Sequence, residues 1–288
     1  MFYGIKFKKL PSLLSMTSFA STSSNRSSGI VSRLLGHKGR CFDIRYASDE
    51  CNRLLSASED GEAKFWDAQK LSALHTFVHN PKAEALRCCF IDHKICVAGS
   101  DGNVSLWSNV PDATIQATKS TAPLHRLNTG SEENQIYVCE PNPHGKSELL
   151  VGANNTLMLW DLNHPAVHRS AWEIESIPDR SEVFGGERNV NQSVFVFDAK
   201  WSPRDQGVMA VAASDATVRI LDVRTEENEH SVVLDFQRTT GIKLGHTTSV
   251  SWSDDGQLLS VSFGSGCVAV FDIRQVGNFN VFFFCFSS

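Results

Sequence analysis

Long apolar runs are missing from this 288-residue chain. No uninterrupted stretch reaches the roughly 18 residues that a membrane helix requires, so neither a spanning helix nor a membrane partner is expected. Apolar periodicity of the helical kind is nearly absent too, which leaves an all-β chain. The eight cysteines, at 41, 51, 88, 89, 96, 139, 267 and 285, contain no C-x-x-C, and none stands at finger-like spacing from histidines. No metal site is therefore expected, and the thiols read as buried and reduced. Basic excess is lacking: the formal net charge is −5, which excludes nucleic acid as the main partner. A phosphate-cradling glycine loop is missing as well, because "GSG" at 264–266 lacks the fingerprint and opens no helix, so no cofactor is expected.

Acidic residues are absent from the first 42 positions, which carry Lys6, Lys8, Lys9, Arg26 and Arg33 among many serines. Residues 1–30 are expected to form a disordered Ser-rich basic tail. A mitochondrial transit segment is the second reading of this composition, weakened by the scarcity of arginine. The expected location is cytoplasm, nucleus or both.

What is present is a recurring pattern. "SASEDGEAKFWD" places Asp60 six residues before Trp66. "GSDGNVSLWS" repeats this with Asp101 and Trp107, "GANNTLMLWD" with Asn154 and Trp160, "ASDATVRILD" with Asp215 and Leu221, and "FGSGCVAVFD" with Ser265 and Phe271. The anchors recur every 40 to 60 residues or so, the mark of one repeat unit carrying loop insertions. Within each unit two alternating segments flank a turn, such as 52–58 and 63–66 about Asp60-Gly61, the signature of a β-hairpin. A third alternating run precedes three of the hairpins, at 40–48, 193–203 and 248–256.

These copies resemble WD repeats, which open on Gly-His and close on Trp-Asp. Gly36-His37 and Trp66-Asp67 match both ends of the first unit, and Gly245-His246 with Phe271-Asp272 matches the fifth. The resemblance covers residues 31–275 and implies a β-propeller of four-stranded antiparallel blades, five of them recognisable here, as an incomplete or truncated ring. It also implies that His37, Ser58, Asp60 and Trp66 form a buried hydrogen-bonded chain in unit one, with Ser56 on the same strand face as a substitute. Later units keep turn and anchor residues only: Asp101, Trp107, Asn154, Trp160, Asp215, Leu221, His246 and Phe271. The intervals 108–130 and 163–192 are long enough to hide a degenerate blade, and residues 30–35 are placed to lend a closing strand. Beyond Gln275 the composition changes to an aberrant Phe-rich tail, 276–288, which is suited to an outer strand and also reads as the product of a divergent exon with downstream blades missing.

A Ser-His-Asp set recurring with the period of the fold reads as structural, so no catalytic residues are expected. The function that the resemblance implies is a non-catalytic scaffold or adaptor binding other proteins. Two narrower alternatives stand beside it. Asp222-Val223-Arg224 and Asp272-Ile273-Arg274 resemble the W-D-x-R box through which propellers act as substrate receptors of cullin-RING ubiquitin ligases, with each Arg offered to a carboxylate of the ligase adaptor. The other is a histone or methyl-lysine reader, which needs an aromatic cage.

Overall fold

The computed structural model describes residues 32–47, 52–108, 118–120, 122–130, 134–145, 147–175, 194–225, 232–235, 241, 244–274 and 281–285. Most of the serine-rich start, and the interval 176–193, lie outside them. Contacts divide the chain into Met1–Arg33 and Leu34–Ser288, and the fold described here is that of the second unit.

The described secondary structure is all strand, in five sheets, each built on a four-stranded antiparallel meander and one of them extended by a parallel fifth strand. Blade one is β1 (Cys41–Tyr46), β2 (Arg53–Ser58), β3 (Glu62–Asp67) and β4 (Ser72–Val78). Blade two is β5 (Ala85–Ile91), β6 (Lys94–Gly99) and β7 (Asn103–Ser108), completed by β9 (His125–Asn128). Between β7 and β9 the chain leaves its own blade, and β8 (Thr118–Ser120) pairs in parallel with β4 of blade one. Within the described part, this interval, a candidate for a hidden blade, instead supplies blade one with a fifth strand. Blade three is β10 (Ile136–Pro141), β11 (Glu148–Ala153), β12 (Thr156–Asp161) and β13 (Ser170–Glu173). Blade four is β14 (Val196–Trp201), β15 (Val208–Ala213), β16 (Thr217–Asp222) and β17 (Val232–Asp235). Blade five is β18 (Thr247–Trp252), β19 (Leu258–Phe263), β20 (Cys267–Asp272) and β21 (Val281–Cys285).

The last of these takes up the Phe-rich stretch in one of its two readings, that of an outer strand. Part of the Phe-rich stretch is the fourth strand of blade five, in register from Cys267↔Cys285 to Phe271↔Val281. A run of strand-forming residues without proline or charge meets the free edge of β20 and extends the ladder. Cys267 is disulfide-bonded, against the expectation of reduced thiols throughout. Cys41, Cys88, Cys89, Cys96 and Cys139 are free, and all but Cys41 are buried as core residues.

Four apolar clusters hold the sheets together, one at each junction. Leu55, Ala57 and Phe65 of blade one pack on Cys88, Ile95 and Val97 of blade two. Cys96, Ala98 and Leu106 meet Cys139, Val151 and Trp160; Leu150, Leu157 and Leu159 meet Ala199, Met209 and Val211; Ala210, Ala212 and Val218 meet Val250, Leu259 and Val261. The first strands stand side by side, β1 by β5, β5 by β10, β10 by β14 and β14 by β18. Every first strand carries a bulge near its start, and in blades one, two and four the residue after it reaches across the junction. Asp43 accepts the Cys88 N–H at 3.0 Å, Arg87 donates through Nε to the Tyr137 carbonyl at 2.9 Å, and Asp198 accepts the Val250 N–H at 3.1 Å. Among the described residues no comparable packing joins blade five to blade one, and the series of blades stays open.

Candidate functional site

The hairpin between the second and third strands carries the polar set singled out in the sequence. In blade one the loop has three residues, Glu59 to Gly61, and Gly61 closes it at φ 74°, a conformation that costs glycine little. Asp60 turns inward there. Its carboxylate receives the Lys38 N–H at 2.8 Å, the Glu62 N–H at 3.2 Å and His37 Nδ1 at 3.0 Å. A carboxylate only accepts, so Nδ1 carries the proton and Nε2 is left to accept. Nε2 lies 2.7 Å from Ser56 Oγ, which donates to it and accepts the Trp66 Nε1–H at 2.8 Å. The relay therefore runs from indole to hydroxyl to imidazole to carboxylate. The His37 and Asp60 side chains are only 7% and 9% exposed. Burial by itself would raise the Asp60 pKa, but the donors from Lys38, His37 and Glu62 outweigh it and hold the carboxyl below its usual range.

Ser56, not Ser58, occupies the relay. Ser58 stands next to the turn, where its hydroxyl accepts the Asp60 N–H at 3.3 Å. Ser56 lies two residues back on the same face, opposite Lys64 and diagonal to Trp66, between the imidazole and the indole.

Register explains what happens to the relay elsewhere. The position of Ser56 is taken by Val97, Val151, Val211 and Val261, opposite Ser105, Met158, Arg219 and Ala269. In blade two His79 therefore turns Nδ1 to Ser105 Oγ on the third strand, at 2.9 Å, and Nε2 to Asp101 at 2.9 Å. The second Asp101 oxygen takes Asn80 Nδ2 at 2.8 Å. Burial pushes the Asp101 carboxyl upward, yet the His79 and Asn80 bonds prevail and carry it far below the ordinary value. Gly99 admits the imidazole, since a Cβ there would lie 2.1 Å from His79 Nε2. With valine at position 97 the Trp107 indole has no acceptor, and Trp160 Nε1 in blade three is orphaned in the same way.

Blade three has a shorter turn, Asn154-Asn155, and a neutral pair in which Asn154 Nδ2 donates to Asn134 Oδ1 at 2.6 Å. Blade four replaces imidazole with guanidinium. Arg219, 5% exposed, sits two residues before Leu221 and binds Asp215 Oδ2 at 2.8 Å, Thr217 Oγ1 at 2.6 Å and the Glu175 carbonyl at 2.7 Å. In blade five His246 lies over Gly264 and beside Phe197, and the turn residue is Ser265, so no carboxylate stands at that position. Phe271 is a buried core anchor. The sequence reading missed Ser105 and Arg219. The signal was a polar residue two places before the anchor, inside an otherwise apolar strand.

The Asp of each Trp-Asp ending does local work. Asp67, Asp161, Asp222 and Asp272 each accept the N–H two residues on, at 2.9 to 3.1 Å, and cap the following turn. Arg224 and Arg274 fold back in a fork on Asp222 and Asp272, each with Nε to Oδ1 at 2.8 Å, and these bonds lower both carboxyls. Both Asp-x-Arg endings are thus closed on themselves, while their guanidinium side chains remain 65% and 58% exposed.

Comparison with known proteins agrees with this geometry. Residues 29–67, the segment holding the complete relay, match the family described as "WD domain, G-beta repeat". The chain carries a WD repeat on a propeller-type fold. This WD-repeat chain is 24% identical over 254 residues to a guanine nucleotide-binding protein subunit beta of Nicotiana plumbaginifolia, covering 87% of itself and 60% of that protein. Against the subunit of the same name from Arabidopsis thaliana it is 25% identical, covering 84% and 58%. It spans about three fifths of the length of these relatives. Among solved structures it superposes on the β-propeller domain of Myceliophteria thermophila Cps50 (Swd1) with a TM-score of 0.64, at 15% identity, covering 87% of this chain and 73% of that one. A computationally designed protein, Ika8, gives a TM-score of 0.54 at 17% identity, covering 85% and 62%.

Proposed function

We propose that this chain is a non-catalytic scaffold that brings other proteins together. The observation that carries the reading is the state of its Ser-His-Asp set. Ser56 Oγ has the connectivity of a nucleophile, hydroxyl to imidazole to carboxylate, yet it is buried and its lone pair is occupied by the Trp66 indole. A nucleophile needs an open approach and an oxyanion site beside it. Here the indole stands where a substrate would approach, and the set braces a turn. The matched guanine nucleotide-binding proteins are named as subunits, which fits a chain that works within an assembly.

Affinity purification of the chain under its own promoter, with quantitative mass spectrometry, tests the reading. Stoichiometric, salt-resistant partners are expected, and their recovery should survive Ser56→Thr. Recovery of the chain alone, or a turnover activity lost in both Ser56→Ala and His37→Ala protein of unchanged stability, refutes it.

The narrower ligase-receptor reading rests on Arg224 and Arg274, whose exposed guanidinium groups keep free N–H donors outside the fork with their own Asp. It requires that a cullin-RING adaptor co-purify and that Arg224→Ala with Arg274→Ala remove it. The methyl-lysine reading has less support. Tyr137, Phe197 and His246 form an aromatic row, but the rings meet edge-on and tilted at centroid distances of 5.9 and 5.4 Å and pack on one another without the opening of a cage.

A further inference from the structure

Three buried thiols meet at the junction of blades two and three. Cys89 on β5 and Cys139 on β10 belong to the first strands of neighbouring blades, and their sulfurs touch at 3.7 Å. Cys96, opposite Cys89 on β6, also hydrogen-bonds the Cys89 thiol. All three are at most 2% exposed, and all are free thiols. Cys88, the residue before Cys89 on β5, gives the contrast. It packs with the residues of blade one, and its thiol donates to the Leu55 carbonyl at 3.7 Å. The pairing of Cys89 with Cys139 therefore follows from strand alternation and from the closeness of β5 to β10.

Charged groups surround this pair. Arg45, Cys89 and Glu140 hold one register position in successive first strands, opposite Leu55, Cys96 and Leu150. The Arg45 guanidinium donates to Glu140 at 3.0 Å, so this bridge runs from blade one to blade three past the position that Cys89 occupies. Lys200 of blade four donates to the same Glu140 oxygen at 2.6 Å. At Cys139 the Cys89 bond and burial raise the thiol, and Arg45 works against them. At Cys89 the Cys139 bond lowers the thiol, but the Cys96 bond, burial and Glu140 outweigh it. Cys139 is thus the sulfur whose anion the surroundings favour once the junction opens.

We propose that Cys89 and Cys139 are a site of oxidation by hydrogen peroxide, whose disulfide staples blade two to blade three. The Cys139 thiolate attacks one peroxide oxygen. The S–O bond forms, the O–O bond breaks, and the departing hydroxide takes the proton that the thiol gave up and leaves as water. The Cys89 sulfur then attacks the Cys139 sulfenic acid. The S–S bond forms, the S–O bond breaks, and the second hydroxide leaves as water with the Cys89 proton. The two sulfurs together lose two electrons, and the peroxide oxygens gain them. To reach a bond length of about 2.05 Å the sulfurs approach by roughly 1.7 Å, which side-chain rotation can supply. Because the pair is buried, the reaction waits on local opening of the junction. The product closes a loop that spans two sheets, so it restricts the unfolded chain and the parting of the blades.

Peroxide treatment of the full chain, followed by alkylation, digestion without reductant and mass spectrometry, tests this. The peptide containing Cys89 is expected to be joined to the peptide containing Cys139, with the mass of two hydrogens lost and then recovered on reduction. The link should persist in Cys88→Ala protein, which separates Cys89 from its neighbour, and vanish in Cys89→Ala. Should Cys89→Ala fail to fold, Cys139→Ser serves as the same control. Linkage should also raise the melting temperature by roughly 5 °C or more, and dithiothreitol should return it. In urea the same treatment should scatter links among the cysteines. The proposal is overturned if the folded chain yields no Cys89–Cys139 link, or a Cys89–Cys96 link in its place. A link that forms equally well in urea, or a linked chain that melts no higher than the reduced one, overturns it too.

Discussion

Ser56 accepts one hydrogen bond and donates another, so removing its hydroxyl strands an indole N–H and an imidazole nitrogen together. Ser56→Ala should cost about 1–3 kcal/mol in urea denaturation, and Ser58→Ala distinctly less, since it releases only the Asp60 N–H. The reverse experiment belongs to blade two. Val97→Thr places a hydroxyl where Trp107 Nε1 has no acceptor, and should be neutral or stabilising. The same change at Val211, whose blade has Leu221 in place of the indole, should cost about 1–2 kcal/mol for an unmatched buried hydroxyl. Equal losses at both sites would show that the orphaned indole is satisfied otherwise. Acid gives a further readout. Asp60 and Asp101 are held below their usual values, so the unfolded chain binds protons where the folded one does not. Their contribution is complete above the unfolded carboxyl value, about 4, and is lost as pH falls through the lower folded values. Asp101→Asn should flatten the fall in stability below about pH 4, and an unchanged slope would count against this assignment.

Hairpins are where the sequence was most legible, because the alternation of apolar residues and the turn glycines act within a dozen neighbours. The exact hydroxyl of the relay was not, because Ser56 and Ser58 share a face and only register with Trp66 separates them. Turn length was hidden for a similar reason. Blades one, two, four and five use three-residue loops closed by a left-handed residue, Gly61, Gly102, Ala216 and Gly266, whereas blade three uses two. Ala216 holds φ 61° at that closing position. Ala216→Gly should therefore raise stability by about 0.5–1 kcal/mol, read from the urea midpoint. A drop would mean that the alanine methyl, buried in the core, contributes more than the backbone strain costs. An outer strand within 276–288 was legible from a run of strand formers without proline or charge, but the edge it joins, that of β20, was not.

At the scale of the molecule, contacts between blades decide the behaviour, and these are the least visible in a single sequence. Asp43, Arg87 and Asp198 gave no signal as a set, although they occupy one bulge position and tie neighbouring blades through backbone groups. Asp43→Ala should increase hydrogen exchange at the Cys88 amide and along β5 while leaving β14 and β15 unchanged. A uniform rise across all blades would point to global destabilisation instead.

The excursion of the chain from β7 to β4 and back has a mechanical meaning. Because β8 is laid along the outer edge of blade one while both its flanking strands belong to blade two, neither sheet can be peeled away without disturbing the other. Under load, this pair should rupture as one event, later than the three sheets that follow it.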